Sequence, residues 1–227
     1  MEKFIELSAA DGFVFPVYTA QPTGPVRGAV VVVQEIFGVN AHIRAVADGY
    51  AAQGYLALAP STFHRVQPDV ALAYTAGDVT TGVALKARAE ALPAPGVLQD
   101  LQATIDYASR VGKVGIVGYC WGGLLTWRAA CGATGLSAAV PYYGGGMTTP
   151  GEMARQPHCP VLAHFADTDA SISLDSVNAF TQAHPDVTVC VYPGHHGFNC
   201  DQRAAYEAAA AELALTRTLA FFKQHLG

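Results

Sequence analysis

A cysteine between glycines is the residue best placed to do chemistry in this sequence. Cys120 stands in GYCWGG, residues 118–123, directly after the apolar run VGIV. A nucleophile on a tight strand-to-helix turn needs small neighbours two residues before and after it, where this chain has Gly118 and Gly122. The following helix favours a thiolate through its dipole, and the backbone N–H of Trp121 is left free to bind an oxyanion. The pattern predicts a cysteine nucleophile, and the alternative is a buried cysteine in a glycine-rich turn.

Two later loops supply candidates for the acid and the base that activate such a thiol. The aspartates of FADTDAS and the histidines of PGHHGF follow apolar runs, in the order nucleophile, acid, histidine that α/β-hydrolases use. Asp167 and Asp169 compete for the role of the acid, and His195 and His196 compete for the role of the base. A polar residue in such a loop can instead cap the next helix, as Asp167 or Ser171 could here, and a loop histidine can simply be solvated. The residues alone leave these alternatives open.

The order of apolar runs predicts one α/β domain over residues 1–227. Residues 1–20 alternate between apolar and polar side chains around AADG, which is typical of a β-hairpin. Over residues 28–227, strand candidates such as GAVVVVQE alternate with helix candidates. This alternation predicts a mostly parallel sheet with helices on both faces and with functional loops at the carboxyl ends of its strands. Residues 66–92 are ambiguous and are candidates to cover the cleft.

Composition narrows the class of function. The 227 residues are 51% hydrophobic and 14% charged with a net charge of −5, which favours one large core and excludes nucleic acid and anionic membranes as partners. The stretch MEKFIELSAADG does not resemble a signal peptide, and no run is long enough to span a membrane, so we expect a cytoplasmic protein. The five cysteines fit no disulfide framework, and the His, Asp and Glu residues lack the tight spacing of a metal site.

The motifs QEIFGVNAHIR, GYCWGG, DTD and HHGF, in this order, resemble the dienelactone hydrolase family, also called carboxymethylenebutenolidases. The likeness runs from residue 28 to the terminal helix candidate. It implies a single-domain α/β-hydrolase fold, a Cys-Asp-His triad and no metal or organic cofactor. By motif position, it assigns the nucleophile to Cys120, the aspartate to Asp169 and the histidine to His196.

The resemblance also gives roles to two residues after GAVVVVQ. Glu35 should face the same cleft as Cys120, and the family's glutamate interacts with the resting cysteine and helps to form the thiolate when substrate binds. The physical reason is that a carboxylate beside a thiol disfavours a second negative charge. The family's second oxyanion donor corresponds to the backbone N–H of Ile36, which would act with that of Trp121. The alternative for Glu35 is a surface glutamate before a turn.

The family holds its substrate carboxylate with two arginines, and this chain departs from both positions. One position is Cys200, four residues after His196, and the other falls in VALAYTAGDVTTGVALKAR, whose first half has no basic residue. Losing a bidentate arginine removes strong orientation of a carboxylate. Arg44 and Arg65 lie near the expected opening of the cleft, and the alternative for them is packing or ion pairing. The alternative for the aromatic residues is a position in the core. The candidate substrate-binding residues are Phe37, Tyr143, Arg44 and Arg65, and the further candidate cations are Lys86, Arg88 and Arg203.

The sequence therefore predicts a hydrolase in which Cys120 attacks the carbonyl of a small-molecule enol-lactone or related ester and forms an acyl-enzyme. A carboxylesterase or thioesterase for a different small ester is the first alternative, and the missing arginines favour it. A non-catalytic binding or sensor domain with a thiol is the second. We expect a monomer or a small homo-oligomer.

Overall fold

The computed structural model describes residues 3–227. The strands in that range are β1 (Phe4–Ser8), β2 (Val14–Ala20), β3 (Gly28–Val33), β4 (Tyr55–Pro60), β5 (Val114–Tyr119), β6 (Leu136–Tyr142), β7 (Leu162–Ala166) and β8 (Thr188–Tyr192). The α-helices are α1 (Ala41–Ala52), α2 (Ala76–Glu90), α3 (Leu98–Ala108), α4 (Trp121–Gly132), α5 (Pro150–Met153), α6 (Leu174–Ala183) and α7 (Ala208–Leu226).

The strands form one sheet in the order β1-β2-β4-β3-β5-β6-β7-β8. β1 and β2 are the predicted antiparallel hairpin, and β2 pairs antiparallel with β4. From β4 to β8 the neighbouring strands run parallel. The carboxyl ends of these strands share one edge of the sheet, so the loops after β3, β5, β7 and β8 meet there.

Helices cover both faces of the sheet, as the sequence predicts. On one face α1 and α7 pack together, and the rings of Tyr50 and Phe222 lie 6.0 Å apart. On the other face lie α3 and α4, and α6 packs against α4 through Trp127 and Phe180, whose rings are 5.1 Å apart. Every residue of β3, β4 and β5 is buried, which explains why these strands are continuous apolar runs. None of the helices in residues 3–227 combines the length and hydropathy needed to cross a bilayer.

The structure resolves the ambiguous stretch and gives the bounds of the last helix. Within residues 66–92 the chain forms α2, which starts at a capping box in which Thr75 and Asp78 bond each other's backbone N–H groups. The last helix begins at Ala208, and the side chain of Asp201, in the segment before it, lies 3.1 Å from that of His42. Contacts with other elements thus hold the segment before Ala208 as a loop.

Candidate active site

Cys120 makes a sharp turn between β5 and α4. β5 ends one residue before it and α4 begins one residue after it, and its backbone has φ +57° and ψ −118°. That conformation is strained for a residue with a side chain. A methyl group on Gly118 would overlap the carbonyl oxygen of Gly122, and one on Gly122 would overlap that of Gln34. The glycine spacing therefore has the steric cause expected of a turn that presents a side chain at the edge of the sheet.

His196 and Asp169 form a hydrogen-bonded pair beside Cys120. Nδ1 of His196 lies 2.7 Å from Oδ2 of Asp169, and Oδ1 of Asp169 accepts a hydrogen bond of 2.7 Å from the backbone N–H of Ser171. The side chain of Cys120 lies close enough to the imidazole of His196 to raise the pKa of His196. The Asp169 side chain is 1% exposed, so water screens its charge little. The loops after β5, β7 and β8 thus bring the side chains of Cys120, Asp169 and His196 together.

Asp167 and His195, the alternatives that the residues left open, make other contacts. Oδ1 of Asp167 accepts a 3.0 Å hydrogen bond from the backbone N–H of Gly194, which fastens the loop after β7 to the loop after β8. His195 is exposed, and its Nδ1 lies 3.1 Å from both the hydroxyl and the carbonyl oxygen of Thr168. Both residues serve to hold the two loops together.

The environment of His196 favours its protonated form. Burial lowers the pKa of His196, but the hydrogen bonds and negative charges of Asp169 and Cys120 outweigh burial and raise this pKa to about 10. An imidazolium stabilises a neighbouring thiolate, and the thiolate is the nucleophilic form of cysteine. The three side chains are therefore chemically able to attack a carbonyl carbon and to return a proton to a leaving group.

Glu35 is buried next to these residues, just after β3. Its side chain is 1% exposed, and its Oε1 lies 3.6 Å from Nη1 of Arg203. Its Oε2 accepts a hydrogen bond of 3.5 Å from the hydroxyl group of Tyr74. Burial raises the pKa of Glu35, and the positive charges of Arg203, His42 and His196 reduce that increase without cancelling it. The alternative of a surface glutamate is wrong.

The segment over residues 66–92 covers the loop that follows β3. The ring of Tyr74 packs edge-on against Phe37 with centroids 4.5 Å apart. In α2, Gly82 lies directly on Ile36, because a methyl group at Gly82 would overlap the carbonyl oxygen of Ile36. This segment therefore fixes the backbone beside Glu35.

Two backbone N–H groups beside Glu35 and Cys120 are candidates to stabilise negative charge. In residues 3–227 neither Ile36 nor Trp121 donates its backbone N–H to a hydrogen bond. Trp121 begins α4, where first-turn N–H groups have no helical partner. Its indole is held elsewhere, stacked on Phe63 at 4.9 Å and donating to Oε1 of Glu90 at 2.7 Å. The two amides are candidate oxyanion donors.

Tyr143 and Phe37, the expected aromatic lining, are both buried at this place. The ring of Tyr143 lies 5.1 Å from that of His196, and its buried hydroxyl has no hydrogen-bond partner in residues 3–227. Burial raises the pKa of Tyr143 well above its ordinary value, so the hydroxyl stays a neutral donor. The guanidinium of Arg203 lies 5.8 Å from the ring of Phe37. A buried hydroxyl without a partner is available to a ligand.

Arg65 has a structural role, which contradicts its predicted place in substrate binding. Its Nε and Nη2 donate to Asp100 over 2.7 to 3.1 Å, and its Nη1 and Nη2 donate to Asp11 at 2.7 and 3.0 Å. The guanidinium also lies 4.3 Å from the ring of Phe13. All three nitrogens are paired, so no free edge remains for a substrate carboxylate.

Of the other candidate cations, Arg203 alone forms an ion pair with Glu35 in residues 3–227. Arg44 lines a surface depression beside the β1–β2 hairpin, and its role in binding stays a prediction. Lys86 and Arg88 lie on α2, where Arg88 donates to a backbone carbonyl oxygen.

Sequence reasoning missed the surroundings of Glu35. Glu35, His42 and Cys200 each place one potential metal-ligating atom within 4.8 Å of the other two, and all three residues are buried. Tyr74 completes this group through its bond to Glu35. QEIFGVNAHIR contains both Glu35 and His42, but Cys200 comes from the far end of the chain, so the tight spacing of a metal site is not visible in the sequence.

Comparisons with known proteins identify the family of this chain. The model of the "Dienelactone hydrolase family" matches residues 15–226. A protein of Escherichia coli O157:H7 named "Putative carboxymethylenebutenolidase" is 37% identical over 232 residues, which are 93% of this chain and 83% of the relative. A crystal structure of a "Putative Dienelactone Hydrolase" from Klebsiella pneumoniae is 33% identical with a TM-score of 0.81, covering 97% of this chain and 98% of the other.

A more distant structure shares the fold alone. An esterase of Pyrococcus furiosus is 14% identical with a TM-score of 0.71 and covers 99% of this chain and 93% of the other. The fold is that of the α/β-hydrolases, and the closer matches show a hydrolase. The chain belongs to the dienelactone hydrolase family.

Proposed function

We propose that this hydrolase opens an enol-lactone, or cleaves a related small ester, with Cys120 as its nucleophile. The observation that carries the proposal is the hydrogen bond between His196 and the buried Asp169, beside a Cys120 close enough to raise the pKa of His196. Because Asp169 engages Nδ1 of His196, Nε2 is the nitrogen available to the thiol and to the leaving group.

The reaction follows from these positions. The Cys120 thiolate attacks the carbonyl carbon and forms a C–S bond, while the C=O π electrons move to oxygen. The N–H groups of Ile36 and Trp121 donate to that oxyanion. As the oxyanion collapses, the C–O bond of the ester breaks, the leaving oxygen takes a proton from His196, and an acyl-enzyme remains. Water then gives a proton to His196 and attacks the thioester, which frees the acid and restores Cys120.

The charge state of Glu35 controls how readily Cys120 forms a thiolate. An ionised Glu35 near Cys120 would disfavour the thiolate, and its raised pKa makes the carboxyl easier to protonate when a substrate excludes water. Once Glu35 is neutral, Arg203 loses its partner and is free to pair with an anionic group of the substrate. A substrate with a carboxylate near its lactone or ester bond therefore fits the site.

A carboxylesterase or thioesterase for uncharged substrates is the second candidate. It is favoured by the position of Arg203, whose charge is already paired with Glu35 at 3.6 Å. A pair of substrates separates the two activities, namely dienelactone, which carries a carboxylate, and p-nitrophenyl acetate, which does not.

The test compares the wild type, Cys120→Ala and the matched control Cys159→Ala on both substrates. The proposal expects both activities to be lost in Cys120→Ala and kept in Cys159→Ala. Arg203→Gln should raise KM for dienelactone and leave KM for p-nitrophenyl acetate unchanged. Cys120-dependent cleavage of p-nitrophenyl acetate alone would support the second candidate. Activity that survives Cys120→Ala would overturn the assignment of the nucleophile, and labelling of Cys120 without turnover of any ester would favour a sensor domain.

A further inference from the structure

Glu35, His42 and Cys200 converge on one point beside the candidate active site. A carboxylate oxygen, a ring nitrogen and a sulfur lie within 4.8 Å of one another, and all three residues are buried. Carboxylate, imidazole and thiolate are the donor types that bind zinc in proteins. We propose that these three residues form a binding site for Zn²⁺.

Among the residues that the structure describes, His42 and Glu35 each have one buried side-chain atom without a hydrogen-bond partner, and the atom on Glu35 has only the longer ion pair with Arg203 at 3.6 Å. Nε2 of His42 and Oε1 of Glu35 make no hydrogen bond in residues 3–227, although His42 is 4% exposed and Glu35 is 1% exposed. Buried polar atoms without partners are rare and lower the stability of a fold. A cation bound between the two residues would satisfy both atoms.

His42 is oriented as zinc-binding histidines are. Its Nδ1 lies 3.1 Å from Oδ1 of Asp201, and a neutral ring that donates from Nδ1 carries its lone pair on Nε2. The carboxylate–histidine–metal arrangement fixes ring orientation and raises the basicity of the ligand. A surface cleft of about 630 Å³ between α1 and α7 is lined by both His42 and Asp201, whose side chain is 65% exposed. Solvent cations thus reach the edge of the cluster.

Charge and distance both permit the site. A Cys200 thiolate and a Glu35 carboxylate would balance a divalent cation, and the Cys200 thiol would release its proton on binding. The donors of a tetrahedral zinc ion lie about 3.3 to 3.8 Å apart, so a contraction of about 1 to 1.5 Å is needed. Arg203 opposes binding because its Nη1 lies 3.6 Å from Oε1 of Glu35. Removal of that positive charge should strengthen the site.

The test measures binding in a Cys120→Ala background, because Cys120 and His196 are themselves able to bind zinc. Equilibrium dialysis of the full chain should find one Zn²⁺ per molecule, and Co²⁺ should show the ultraviolet charge-transfer band of a single thiolate ligand. Adding Cys200→Ser should abolish the band, and adding His42→Gln should weaken binding by about 10- to 100-fold or more. The control Cys159→Ser should change neither readout, and Arg203→Gln should tighten binding by about tenfold or more.

Absence of Zn²⁺ binding in Cys120→Ala, or a thiolate band that survives Cys200→Ser, would overturn the proposal. Circular dichroism shows whether each variant is folded, and His42→Gln provides a second route if Cys200→Ser is not. Zinc bound to Glu35 would hold this carboxylate in place and slow ester cleavage by the wild type, a consequence that rests on the proposed function. Cys200→Ser should relieve that inhibition. Because zinc binding is measured without turnover, its result does not depend on whether the proposed enzymatic function is correct.

Discussion

His164 is a buried histidine that the fold requires to be neutral. It lies on β7 with no exposed surface, its Nδ1 is 2.8 Å from the hydroxyl of Tyr192, and its Nε2 is 3.0 Å from that of Thr218. Burial, with a smaller contribution from Arg217, lowers the pKa of His164 to about 3. Its carbonyl oxygen accepts a 2.7 Å hydrogen bond from Tyr143, so it supports the backbone at the candidate active site.

Acid should therefore destabilise the protein through this residue. Between pH 6.5 and pH 3 the unfolded chain binds a proton at His164 and the folded chain does not. The contribution to stability is fully present above pH 6.5 and is lost as the pH falls. The free energy of unfolding should decrease on this account by about 2 kcal/mol from pH 7 to pH 5, and by about 3 kcal/mol from pH 7 to pH 4.

Urea unfolding of the wild type and His164→Gln across this pH range isolates the effect. Glutamine keeps a hydrogen-bond donor and acceptor but gains no proton, and every other titrating group is common to both proteins. The variant should be less stable at pH 7, and its stability should fall between pH 7 and pH 5 by about 2 kcal/mol less than that of the wild type. Equal pH dependence of the two proteins would show that protonation of His164 does not cause the loss of stability.

Three further predictions concern the candidate active site and its supports. Asp169→Asn should lower the NMR titration midpoint of His196 from about 10 toward 6.5 and reduce kcat by about 10²- to 10⁴-fold; an unchanged midpoint would contradict the pairing. Gly82→Ala should displace Ile36 and reduce kcat by about tenfold or more while circular dichroism stays native, and full activity would show that α2 does not position that amide. Arg65→Ala should cost about 3 to 5 kcal/mol in urea unfolding, because it leaves the buried Asp100 unpaired, and should keep KM; a raised KM would restore a binding role.

The turn at Cys120 was predictable because its causes are local. Gly118 and Gly122 are needed within a few residues of the nucleophile, and the apolar run before them marks the strand that delivers it. The order of the later loops follows from the alternation of strands and helices. The choice of Asp169 and His196 over their neighbours came from the family resemblance, since both members of each pair lie on the same loop.

The surroundings of Glu35 were not predictable because they come from distant segments. Arg203 reaches Glu35 since the last helix starts only at Ala208, and a continuous alanine-rich stretch hides that boundary. The structural role of Arg65 is hidden in the sequence for a similar reason. Its partner Asp11 lies 54 positions away in the sequence, and periodicity carries no information about such an ion pair.

The most direct test of the central claim is to trap the acyl-enzyme. Wild type mixed with p-nitrophenyl acetate and quenched in acid during the burst should carry one acetyl group, and peptide mass spectrometry should find it on Cys120. Cys120→Ala should carry none. An acetyl group on another residue of the active wild type, or turnover by Cys120→Ala at the wild-type rate, would show that Cys120 is not the nucleophile.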